Sequence, residues 1–160
     1  MVSLKKKNTI ILSAQKVINL KIDALRLLKK SLDKNFDKAI SAIISCQSKI
    51  ILCGVGKSGL IAAKIASTMS SVGSPAFSLS ANDCLHGDLG SISKRDLLIL
   101  ISNSGKSEEL LPIIKFANRN KIKLIGIVSK KNSSLYKGSD IQILLPEVKE
   151  AGLGLSLIHI

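Results

Sequence analysis

Apolar residues repeat along this chain with two different periods, and the change between them divides it. Up to about residue 46, Ile18, Ile22, Leu25, Leu28, Leu32, Phe36, Ile40 and Ile43 step mostly by three or four, the period of one helix face. Asp33-Lys34-Asn35 interrupts the pattern, which predicts two helices in tandem over 1–46. Their stripe is expected to pack against a sheet or another subunit. From residue 47 short apolar runs alternate with longer segments. Strands are predicted at 49–53, 75–79, 96–101, 122–128 and 140–145, helices at 59–71 and 108–119, and a short turn or helix at 133–138. Leu97-Leu98-Ile99-Leu100-Ile101 has no polar alternation, the mark of a strand buried on both faces. The expected fold is therefore α/β: a doubly wound, five-stranded parallel sheet with right-handed crossovers, flanked by helices. Ligands of such sheets sit beyond the carboxyl ends of the strands, here the loops 54–59, 80–90, 102–107 and 146–150.

Two of those loops carry chemistry. Ser102-Asn103-Ser104-Gly105-Lys106-Ser107 follows the buried run directly and leads into Glu108-Glu109. Ser107 is expected to cap the helix that follows, with the two carboxylates at its positive end. Hydroxyls, an amide and free N–H groups at a helix start suit a phosphate monoester, although Ser, Asn and Gly also fill ordinary turns. The second loop, Gly54-Val55-Gly56-Lys57-Ser58-Gly59, matches the dinucleotide fingerprint by letter. That fingerprint wants an acid at the end of the second strand, where this chain has Phe77-Ser78-Leu79-Ser80, with Asp83 only later. A nucleotide P-loop would place its first glycine at Ile51, inside a strand. What survives is a glycine loop with Lys57 and Ser58 at a helix start, fit to hold an anion.

Charge and cysteines change this picture little. The formal net charge of +13 invites a nucleic-acid partner. The lysines are scattered, however, aromatics make up 2% of the chain, and there is no zinc-finger spacing. No specific nucleic-acid partner is expected. Cys46, Cys53 and Cys84 lack metal-ligand spacing. The default for Cys46 and Cys53, set among apolar residues, is a buried reduced thiol. With no secretory signal and no run long enough for a membrane span, the expectation is a cytoplasmic protein without a membrane partner.

Gly54-Val-Gly-Lys-Ser-Gly59, His86-Gly-Asp-Leu-Gly90 and Ile101-Ser-Asn-Ser-Gly105, in this order and spacing, resemble the sugar isomerase (SIS) domain. Within that family they are most similar to the arabinose-5-phosphate isomerases, which interconvert ribulose 5-phosphate and arabinose 5-phosphate and so supply the precursor of the lipopolysaccharide sugar Kdo. The resemblance implies Gly56, Ser58, Ser102, Asn103, Ser104 and Ser107 as substrate- and phosphate-binding residues. It implies Lys57, His86, Glu109 and Glu150 as catalytic ones. No cofactor and no metal are implied for turnover; His86 matches a histidine able to take up inhibitory zinc. The partner implied is a small sugar phosphate, and the full-length assembly a homotetramer. The chemistry is consistent with these residues: moving a carbonyl between C1 and C2 needs a base, an acid and a cation or donor for the enediolate.

The sequence departs from the family at two places. Lys106 stands where relatives commonly carry Glu. After 149–151 the family continues into long helices, a His-Pro-Gly-Gly motif and paired cystathionine-β-synthase (CBS) domains, whereas here the chain reads Leu155-Ser156-Leu157-Ile158-His159-Ile160. That hexapeptide is the translation of CTGTCTCTTATACACATC, a transposon end used in sequencing libraries. The expected organisation is N-terminal helices at 1–46, an SIS domain at 47–154 lacking its C-terminal helices, an artefactual tail at 155–160 and no CBS domains. On that expectation the 160-residue chain is inactive. The alternative function is a non-catalytic, sugar-phosphate-binding regulatory SIS module.

Overall fold

The computed structural model describes residues 4–148. Contacts divide the described residues into two units: 4–31 with 146–148, and 32–145. In the first unit, α1 (Leu4–Ser31) is a single 28-residue helix with Lys29 and Lys30 in its last turn, where cations suit the dipole. Ile18, Ile22 and Leu25 on it are exposed.

The second unit opens with α2 (Lys34–Ile44). Asp33 caps it, its carboxylate accepting from Asn35 N at 2.8 Å, so the predicted interruption is a helix start. Then come β1 (Ile50–Gly54), α3 (Lys57–Ser71), β2 (Ala76–Ser80), α4 (Ala81–Leu85), β3 (Leu97–Ile101), α5 (Leu111–Asn120), β4 (Lys123–Val128), α6 (Ser134–Gly138) and β5 (Ile141–Leu144). Single 3₁₀ turns at Asp88–Ser91 and Glu108–Leu110 complete the list. All pairings are parallel, in the order β2-β1-β3-β4-β5. The order reverses between β1 and β3, the switch point at which ligands of this sheet type bind.

All five residues of β3 are buried, as its unbroken apolar run predicts. Successive residues point to opposite faces. Leu98 and Leu100, with Ile51, Leu124 and Val128, pack against α4, α5 and α6. Leu97, Ile99 and Ile101, with Ile50, Leu52 and Ile125, meet α2 and α3. The face that α2 turns to the sheet is Ala39, Ala42 and Ile43, joined by Cys46 just beyond the helix, while Phe36 and Ile40 stay exposed. Of the helical stripe, Ile43, together with Ala39, thus meets the sheet, while Ile18, Ile22, Leu25, Phe36 and Ile40 are exposed in the single chain.

At the amino edge of the strands, Asp96 precedes β3 with its side chain fully buried. Burial alone would raise its pKa. Bonds from Ser48 Oγ (2.6 Å), Ser93 N (2.7 Å) and Lys49 Nζ (3.0 Å) outweigh this and hold the carboxyl below the usual range.

Candidate functional site

Three loops leave the sheet from one row of partners. Gly54 at the end of β1 pairs with Ser80 at the end of β2 and with Ile101 at the end of β3. Each is followed by one of the singled-out motifs: the glycine loop, the segment with His86, and the serine loop. Ile127 of β4 pairs with Ile101 in the same row.

In the glycine loop, a Cβ on Gly54 would come within 2.7 Å of the Ser58 backbone, and one on Gly59 within 2.9 Å of the Gly54 carbonyl. These two glycines let α3 approach β1. Gly56 precedes α3 at φ 57° and ψ −123°, a conformation for which glycine is suited. The helix therefore starts at Lys57, two residues earlier than the predicted span. Lys57 is exposed in its first turn and Ser58 is buried against the strand end.

The polar segment after β2, read as a loop, forms α4 instead, because Ser80 accepts from Asp83 N and caps it. His86 ends this helix, exposed, its N–H donating to the Asp83 carbonyl at 2.9 Å. Cys84 of α4 is buried in the same core cluster as Cys53 of β1, together with Ala81. Burial, reinforced by the neighbouring Cys84, pushes the Cys53 thiol up to about 12. Burial, then the charges of Asp88 and Asp83, raise that of Cys84. Both thiols are free and stay neutral, and Cys53 is buried as its apolar setting predicts; Cys46, expected to be buried as well, is only half-buried, since it lies just past the end of α2. Among the described residues, no group of three or more His, Cys, Asp or Glu side chains is placed to hold a metal ion.

The serine loop is organised by its own hydroxyls. Ser102, 3% exposed, accepts from Gly105 N at 3.0 Å and shares a 3.0 Å bond with Ser107 Oγ. Ser104 Oγ, exposed, accepts from Lys106 N at 3.2 Å. Here the expected helix cap is corrected. Ser107 makes no side-chain cap bond, and the turn it precedes, Glu108–Leu110, is 3₁₀; its hydroxyl is drawn to Ser102 instead. Glu109 is half-buried in that turn.

One contributor escaped the sequence reading: the connection after β4. Ser129 N donates to the Asn103 carbonyl at 3.1 Å, and Ser129 Oγ to Asn103 Oδ1 at 2.6 Å. Leu135 N donates to the Gly105 carbonyl at 3.1 Å. Gly105 sits at φ 64° with its α-carbon against Ser133 and Val128, whose side chains a Cβ would strike. Nothing in the letters of 129–135 signals this role, since the contacts are made by strand order. Glu150 lies outside the described residues.

Comparisons with known proteins bear on the family and the fold. The SIS domain family model matches residues 43–158. An uncharacterized protein of Rickettsia prowazekii, RP505, is 42% identical over 140 residues, 88% of this chain and 44% of that protein. The arabinose 5-phosphate isomerase KdsD of Francisella tularensis is 40% identical over 142 residues, 87% of this chain and 43% of that protein. The chain thus spans less than half the length of these relatives. Among solved structures, E. coli CFT073 c3406 in complex with arabinose 5-phosphate superposes with a TM-score of 0.86 at 33% identity, covering 97% of this chain and 81% of that one.

Proposed function

Since the chain belongs to the SIS domain family, we propose that it is the sugar-phosphate-binding core of an aldose–ketose isomerase, interconverting ribulose 5-phosphate and arabinose 5-phosphate in the cytoplasm. The product would be the precursor of the lipopolysaccharide sugar Kdo, and the whole protein a homotetramer. The observation that carries this reading is the single register row from which the three motif loops emerge.

In this reading the phosphate sits over the serine loop. Gly105 N–H donates to Ser102, and the Ser102 and Ser107 hydroxyls share a bond in which either can donate; with Ser102 as donor, the Ser107 proton is left for a phosphate oxygen. Each bond in such a chain polarises the next. Ser104 Oγ–H and the Asn103 amide supply further donors. Lys57 and the N-terminus of α3 add positive potential from the neighbouring strand end.

The sugar then extends from the phosphate toward His86, Lys57 and Glu109. A carboxylate such as Glu109, or Glu150, takes the carbon-bound proton, His86 exchanges protons with the oxygens, and Lys57 stabilises the enediolate charge. Ser58, buried at the base of the glycine loop, serves this site by holding α3 on β1.

The experiment is to add the purified whole protein to ribulose 5-phosphate and follow arabinose 5-phosphate, since the 160-residue chain alone is expected to bind without turnover. Conversion that is lost with His86→Ala while phosphate-ester binding is retained, and lost with Lys57→Ala, supports the isomerase. Tight binding of the ester without turnover would replace it with the regulatory module.

A further inference from the structure

We propose that Ser129 is a positioning residue of the phosphate site: it orients the Asn103 amide so that its Nδ2 hydrogens, and not its oxygen, serve the bound phosphate. The proposal rests on the reading of 102–107 as the phosphate loop.

An asparagine side chain has a donor end and an acceptor end of nearly the same shape. In an exposed loop either can turn toward a ligand, and only the donor end is useful to an anion. Asn103 is exposed, so packing does not make the choice. Ser129 does. Its Oγ donates to Asn103 Oδ1 at 2.6 Å while its N–H holds the Asn103 carbonyl at 3.1 Å. The residue is gripped at both its backbone and its acceptor end, and no described residue accepts from Nδ2.

The placement follows from the sheet. Ile101 and Ile127 are register partners, so two residues further on Asn103 and Ser129 still face each other across β3 and β4. Ser129 lies beyond β4 and before α6, and it caps no helix. Capping of α6 falls to Ser133, whose Oγ accepts from Tyr136 N. The Ser129 hydroxyl therefore has a task directed at Asn103 and none in holding the secondary structure.

A double-mutant cycle tests this, read by calorimetric titration of the full chain with D-arabinose 5-phosphate and, separately, inorganic phosphate. Ser129→Ala is expected to weaken binding about threefold to tenfold, and Asn103→Ala about tenfold or more. The double variant should bind no more weakly than Asn103→Ala alone, because Ser129 acts through the amide. Ser129→Thr, which restores the hydroxyl, should recover most of the affinity, and thermal midpoints should stay within about 2 °C of the parent. Wild-type affinity in Ser129→Ala would overturn the proposal. So would an alanine loss that persists in full in the Asn103→Ala background, or one accompanied by a large fall in midpoint that threonine does not repair. In those cases binding by the parent leaves the phosphate-loop reading standing. Failure of the parent to bind either probe overturns both.

Discussion

The two ends of the sheet handle polar groups in opposite ways. At the amino edge, Asp96 is buried and receives three donors, Ser48 Oγ, Ser93 N and Lys49 Nζ. At the carboxyl edge, Ser102 is equally buried, but its bonds run outward through Ser107, and Asn103, Ser104, Lys57 and His86 face solvent. A buried carboxylate whose partners are all protein groups contributes stability. Hydroxyls, amides and cations exposed along a strand edge add little to the stability of the sheet. The contrast separates residues that hold the sheet from residues the sheet holds out.

The largest expected effect breaks the amino edge. Asp96→Ala removes the acceptor of three bonds and should lower unfolding free energy by about 2–4 kcal/mol, read as a fall in denaturant midpoint. Phosphate-ester affinity, measured well below the new midpoint, should not move. A matching loss of affinity would show that the two edges are not separate. Ser104→Ala is the reciprocal change. It removes one donor to a charged ligand, an expected loss of roughly 1.5–3 kcal/mol in binding, with stability within about 0.5 kcal/mol of the parent. Equal affinity in a titration of the two proteins would mean that the loop is only a turn.

A smaller effect sharpens the comparison through pH. The Asp96 carboxyl is lower in the fold than in the unfolded chain, where its value is about 3.9. Its contribution is complete above that range and is lost as pH falls through the native value. The stability advantage of the parent over Asp96→Asn, about 1–2 kcal/mol near neutrality, should therefore shrink steadily below about pH 4. Urea melts of both proteins at several pH values would show it, and a gap that stays constant into acid would refute the assignment. The mildest probe is chemical. With Cys53 at about 12 and both it and Cys84 buried, iodoacetamide should label half-buried Cys46 first and reach the other two only with denaturant. Early labelling of Cys84, read by mass spectrometry, would show that α4 opens readily.

Most of the sheet was legible because β3 and its neighbours are unbroken apolar runs separated by segments of helical period. The two nucleotide motifs could be set aside for a physical reason. The second strand ends in Ser80 without an acid, and the glycines serve close packing of α3 on β1. The errors fall where a side chain had more than one possible partner. Ser107 suits a helix cap by type, but its hydroxyl shares a 3.0 Å bond with Ser102 Oγ instead. Ser80, read as the end of a strand before a loop, caps α4. Ser129 was invisible for the deepest reason: its meaning comes from standing beside a residue 26 positions earlier in the chain.

The bond between Ser48 and Asp96 joins residues 48 positions apart, and it closes the longest-range pairing of the sheet, that between β1 and β3. A sheet with only parallel pairings has no hairpin to start from, so every ladder waits on a crossover. Loop-closure entropy must be overcome before any pairing rewards it. As the chain leaves the ribosome, β1 emerges well before β3, the neighbour that buries it at the centre of the sheet. Leu52 and Ile51 must then stay unpaired on that side through much of synthesis. The polar knot at the amino edge is thus also a latch on timing, set only when the middle of the sheet has come together.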